Sequence, residues 1–184
     1  MCSSDLDEVV NQAAKNRFMF GGQGRVPLVM RMPIGLFAGF YRVALNSPPW
    51  RIEAGKWLKW PIAQASGNIE KIFPAMQTDI ILENQAEKRR LIINTKFNAL
   101  LTKGRHREES LRSGYLYQIY AYLRSQEKEE DALSRHATGL LLHPAIHCAI
   151  DEYVVMQGHE IRFATVDLSA SAGEIRQRLL AVIK

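Results

Sequence analysis

Three polar side chains in one stretch of the chain are of the types that hydrolyse phosphodiesters. In TDIILENQAEKRRLIINTKF, Thr78 to Phe97, Asp79 opens one apolar run, Lys96 closes the next, and Asn94 stands two residues before the lysine. A carboxylate and a second oxygen donor can share a hard cation such as Mg2+, which binds through one or two carboxylates plus waters and substrate phosphate oxygens. A lysine beside them can orient or deprotonate a water and stabilise charge developing at phosphorus. Asn94 and Lys96 point the same way if their run is a strand. Asp79 reaches them only if the register of the two runs cooperates. The same spacing also occurs in ordinary hairpins, and on its own the pattern does not separate the two readings.

A second set of polar residues lies further along. SGYLYQIYAYLRSQ, Ser113 to Gln126, places Gln118 and Tyr122 four apart, on one face of a helix. Those two also fit an aromatic stripe that packs with Tyr115, Leu116, Ile119 and Leu123.

The elements that must position these residues are legible in outline. ILEN and LIINTKF read as two strands joined by the turn QAEKRR. Both are apolar on both faces, which predicts a place inside a sheet covered by helices. LFAGFYRVAL, Leu36 to Leu45, has helical spacing and is stopped by NSPPW. WRIEAGKWLKWPI alternates as strands do. Leu101 to Glu109 reads as a basic loop before a helix from about Ser110 to Gln126. TGLLLHP, Thr138 to Pro144, and HEIRFATVDLS, His159 to Ser169, read as strands. SAGEIRQRLLAVI is an amphipathic helix with Ser171 as N-cap and Glu174 completing a capping box. The order predicts an α/β fold, a mixed sheet flanked by helices.

Composition narrows the partners. Formal net charge is +5, which fits nucleic acid or another anionic partner without demanding one. The positive charge is concentrated in Lys88, Arg89 and Arg90 and in Lys103, Arg105, His106 and Arg107, candidate DNA contacts or solvated loops. Trp50, Trp57 and Trp60 interleave with Arg51, Lys56 and Lys59, as a base-stacking surface or, more simply, a cross-strand aromatic cluster. Two cysteines and no secretory signal point to a reducing cytoplasm. The most apolar run, Val26 to Phe40, is interrupted by Arg31, Pro33 and Gly35 and predicts no membrane span. His143, His147 and Cys148 make a poor zinc set without a second cluster.

From about Phe37 to the end the chain resembles the C-terminal nuclease domain of the McrC family of 5-methylcytosine-specific restriction subunits. The resemblance is carried by FYRVAL, FPAMQTDIILE, RRLIINTKF, LRSGYLYQIYAYL, TGLLLHP, VMQGHEIRFATVDLSAS and EIRQRLL, in family order. It implies a PD-(D/E)xK restriction-endonuclease-like core that hydrolyses DNA with Mg2+. Asp79, Asn94 and Thr95 then fall at the metal-holding positions and Lys96 at the catalytic lysine. Gln118 and Tyr122 fall on a helix motif facing metal and DNA. It also implies a partner, an McrB-like AAA+ GTPase. Coupling to it should be impaired, because the family's N-terminal part is absent from this sequence.

The departure is Asn94, where the family carries an acid. Asn keeps one carbonyl oxygen but loses the charge and an acceptor. The alternative reading is therefore a catalytically dead DNA-binding module. Residues 7–35, NQAAK…MFGGQGRVPLV, resemble a fragment of the beta subunit of thiamine-diphosphate-dependent 2-oxoacid dehydrogenases, without the residues that chemistry needs. Residues 1–6, MCSSDL, resemble translated sequencing adapter. Together these raise a further reading, an artefactual fusion with no role as a unit.

Overall fold

The computed structural model describes residues 34–103, 108–146 and 148–184. The expectations for residues 1–6 and for nearly all of 7–35 lie outside them, as do Arg105, Arg107 and His147.

One six-stranded mixed sheet organises the molecule. Helix α1 (Ile34–Ala44) leads into β1 (Trp50–Ala54), which pairs antiparallel with β4 (Ile80–Asn84). Between them the chain leaves the sheet through β2 (Trp57–Leu58) and β3 (Met76–Gln77), which pair with each other. Strand β4 pairs antiparallel with β5 (Arg89–Thr95). A small hairpin of β6 (Leu101–Lys103) and β7 (Glu109–Leu111) follows, then helix α2 (Ser113–Ser125) and the short α3 (Ala132–Arg135). Strands β8 (Thr138–Pro144), β9 (Asp151–Met156) and β10 (His159–Val166) complete the sheet, and α4 (Ala172–Ala181) follows. The strand order is β1-β4-β5-β8-β10-β9, parallel where β5 meets β8 and β8 meets β10.

The predicted interior hairpin is present because its alternate side chains serve two cores. On one face Ile80, Leu82, Leu91, Ile93, Leu140 and Leu142 are buried with α1 and α4. On the other Ile92, Leu141, Ile161 and Phe163 are buried with Ile119, Tyr122 and Leu123 of α2. Helix α4 begins at the predicted cap: Ser171 accepts from the Glu174 backbone N–H, and the Glu174 side chain accepts from the backbone N–H of Ser171.

Two expectations are corrected, and one strand was not foreseen. The basic loop is in part a β-hairpin, and it recruits residues 109–111, so α2 begins at Ser113 rather than Ser110. Strand β5 begins at Arg89, within the predicted turn. Strand β9 is the unforeseen one; five of its six residues are exposed, and it is paired antiparallel with β10 across the turn at Gln157 and Gly158.

Candidate active site

The site gathers where β5 ends. The register of β4 on β5 pairs Ile80 with Ile93, so one further step puts Asp79 opposite Asn94. This is the meeting of Asp79 with Asn94 that the sequence left open. Asp79 is held by its neighbour across the ladder. The Thr95 backbone N–H donates to Asp79 Oδ2 at 2.6 Å, and the Thr95 hydroxyl donates to the same oxygen at 3.0 Å. Thr95, expected at a metal-holding position, thus meets the site as a donor that orients the acid.

Lys96 follows. Its ammonium donates to Asn94 Oδ1 and lies 5.5 Å from the centroid of the Tyr115 ring. Its backbone N–H donates to Leu142 O at 3.1 Å, which extends the β5–β8 ladder and places His143 beside it. Asn94 is 1% exposed, and its amide nitrogen, Nδ2, is buried with no partner.

Helix α2 closes the site from the second face. Gln118 Nε2–H donates to the Tyr122 hydroxyl at 2.6 Å, which donates to Gln77 O at 2.8 Å, two residues before Asp79. The helical pair therefore lies against the strand that leads into the acid. Burial raises the Tyr122 phenol above its ordinary value, and the nearby Asp79 charge adds to that, while the bonds to Gln118 and Gln77 pull it down. The packing reading of this helix holds, because Ile119, Tyr122 and Leu123 are all core residues.

Three residues here were not singled out as part of the site. Asn98 donates from Nδ2 to the Tyr115 hydroxyl at 2.6 Å. His143 donates from Nδ1 to Asn98 O at 2.9 Å, and its ring lies 5.6 Å from that of Tyr115. Burial lowers the His143 pKa below its ordinary value, the charges of Lys96 and Arg112 lower it further, and the Asn98 carbonyl opposes this in part. A helical signal for Tyr115 was available, three residues before Gln118 on the same face. His143 had none, since its place follows from pairing between strands far apart in sequence.

The basic candidates divide. Lys88, Arg89 and Arg90 lie at the start of β5, the opposite end from Asn94, roughly 16 Å away at the rise of a strand. Arg90 is held by Glu83 at 2.6 Å and Asp131 at 2.8 Å, and Arg89 donates to Ile183 O at 2.9 Å and Lys184 O at 3.3 Å. These guanidiniums are engaged in holding the fold. Lys103 is exposed in the hairpin that leaves the site end of β5.

Mg2+ needs oxygen donors, carboxylates foremost. Asp79 offers a carboxylate, but Asn94 offers one neutral oxygen, which already accepts from Lys96, and its other atom is an N–H donor, which no cation can use. The residues as they stand do not fit a two-carboxylate centre. Among the described residues no three His, Cys, Asp or Glu side chains form a metal cluster. No described helix is long and apolar enough to cross a membrane.

Comparison with known proteins gives the chain's relatives. The chain is 29% identical over 126 residues to the type IV methyl-directed restriction enzyme EcoKMcrBC of Escherichia coli (strain K12), covering 68% of this chain and 35% of the relative. The chain thus spans about a third of that relative's length. The family described as McrBC 5-methylcytosine restriction system component matches residues 41–144, a segment running from within α1 to the end of β8 and holding every candidate catalytic residue. That match covers more than half of the chain, and the chain belongs to the McrBC 5-methylcytosine restriction system component family.

Proposed function

We propose that residues 36–184 are the nuclease domain of a modified-cytosine-dependent DNA restriction system, with a PD-(D/E)xK core whose Mg2+-dependent phosphodiester hydrolysis is suppressed by Asn94. The observation that carries this reading is the register that sets Asp79 against Asn94, with Lys96 bonded to Asn94 and Tyr122 bonded to the strand beside Asp79. Restoring an acid at 94 replaces the orphaned N–H with an oxygen facing Asp79. Lys96 then sits where it can hold a nucleophilic water or a phosphate oxygen, and Gln118 with Tyr122 fixes the strand that presents Asp79. Family membership supports DNA as substrate and an McrB-like GTPase as partner in the cytoplasm.

The test is cleavage of plasmid DNA by the purified chain and by Asn94→Asp, with Mg2+ or Mn2+. The expected outcome is at least about a hundredfold gain in Asn94→Asp, because metal-held charge stabilisation contributes several kcal/mol. That gain should be abolished by adding Asp79→Ala. If Asn94→Asp binds DNA but never cuts it, the second reading, a DNA-binding module without catalysis, takes its place. The buried Asn94 amide is what favours that second reading.

A further inference from the structure

The stretch from Lys56 to Gln77 is not needed to build the sheet, yet it is held firmly. Its stem pairs Trp57 with Gln77 and Leu58 with Met76. Met76 is buried in the α2 core, with Leu58 and Trp60 partly buried against it. Trp60 Nε1–H donates to Pro74 O at 2.7 Å, and its ring meets Phe73 edge-on at 5.5 Å. Gln126, just past α2, donates to Lys59 O at 2.9 Å. The 59–75 segment contains only one turn of 3-10 helix, Ile69–Lys71. Ordered connections of that length without strands or long helices usually carry a function.

What it leaves outside is apolar and basic. Of the nine large apolar side chains the described residues expose, four are here: Trp57 at 66%, Ile62 at 51%, Ile72 at 79% and Phe73 at 40%. Lys56, Lys59 and Lys71 are exposed among them. The three tryptophans do not cluster: Trp50 packs on the α1 core, Trp60 on Phe73, and Trp57 alone presents itself to solvent. Because Leu58 faces the core, Trp57 faces away from it.

Its position is the third observation. Gly55 N–H donates to Asp79 O at 2.9 Å, and Thr78 N–H donates to Lys56 O at 3.0 Å. Trp57 is therefore across the ladder from Gln77 and two residues along from the pair that holds Asp79. Exposed aromatic rings beside lysines, on the strand pair that leads into Asp79, match the chemistry of unpaired nucleobases, which stack on a ring face while cations track the backbone. A paired duplex hides those base faces.

We propose that residues 56–77 form a base-stacking flap, in which Trp57 holds an unpaired nucleobase of DNA next to the Asp79–Lys96 site, with Lys59 and Lys71 along the backbone. The proposal rests on the nuclease reading of that site. The probe is a labelled single-stranded oligothymidylate and its duplex with oligoadenylate, followed by fluorescence anisotropy on the full chain at one ionic strength. Trp57→Ala should weaken single-strand binding about tenfold and duplex binding less than about twofold, with Trp57→Tyr recovering most of the loss. Thermal melts check that the variants fold, which the exposure of Trp57 favours. Equal binding by all three chains overturns the flap alone, and leaves the patch to a protein partner or a second copy of this chain. No binding of either DNA form by the unaltered chain overturns the nuclease reading and the flap with it.

Discussion

On the proposed nuclease reading, Asn94 is the residue on which the chemistry turns. A buried amide N–H with no acceptor costs about 1–3 kcal/mol, so the side chain is unfavourable where it stands. An aspartate there would satisfy Lys96 but would face Asp79, carboxylate against carboxylate, a repulsion that a divalent cation relieves. This predicts a signature independent of cleavage. Asn94→Asp should melt several degrees higher in saturating Mg2+ than in chelator, because a ligand bound only by the folded state stabilises it by mass action. The unaltered chain should show little difference, and calorimetry with and without Mg2+ checks both. Asp79, Asn94, Lys96, Gln118 and Tyr122 were nominated from the sequence by residue type and by the family resemblance, and the fold brings Asp79, Asn94 and Lys96 to one end of β5, with Tyr122 bonded to the strand leading into Asp79. That Thr95 orients Asp79 was not legible, since that bond crosses from one strand to another.

At the scale of elements, the seating of α2 on β8 sets where Gln118 and Tyr122 stand. Gly139 of β8 makes the close approach possible. A Cβ there would come within 2.8 Å of Ile119 Cγ1 and 3.2 Å of Leu123 Cδ1, both side-chain atoms of buried residues. Gly139→Ala should therefore lift α2 and cost about 1–3 kcal/mol by overpacking, read as a lower urea midpoint. The strands and helices that announced themselves did so through period or caps: α1 by its apolar spacing, β4 and β5 by runs apolar on both faces, α4 by Ser171 and Glu174. The β6–β7 hairpin and β9 did not. They are short or exposed, and hydrogen bonding to a partner strand is what makes them regular.

Across the whole molecule, Asp151 ties the edge of the sheet to the last helix. It accepts from Arg162 of β10 at 2.7 and 3.0 Å and from Arg178 of α4 at 2.6 Å. The bond from Arg162 holds its carboxyl below the usual range, burial opposes this, and Arg178 adds to the lowering. A carboxyl lowered by folding contributes stability above its unfolded pKa, near 3.9, and loses it as pH falls through the folded value. The side chain is 35% exposed, so the contribution is at most about 1 kcal/mol. Asp151→Asn should be less stable than the unaltered chain by about that amount at neutral pH, and the gap should close in acid. Urea titrations at both conditions measure it. The basic turn shows the same dependence on long-range pairing: Lys88, Arg89 and Arg90 look like a free patch in sequence, but Glu83, Asp131 and the C-terminal carbonyls claim both arginines.

The amino-acid sequence by itself determined the α/β class, the interior hairpin, the capped last helix and the family resemblance, and it nominated the polar candidates for phosphodiester chemistry. The first three rest on patterns with a short period and the resemblance on motifs in family order, all of which the chain carries without its partners. Only the tertiary structure decided that Asp79 faces Asn94, that the Asn94 amide is left unpartnered beside Lys96, that His143 lines the site, and that Trp57 alone among the tryptophans is offered to solvent. These are matters of register and burial between residues far apart in the chain, and packing of the whole sheet against its helices settles them.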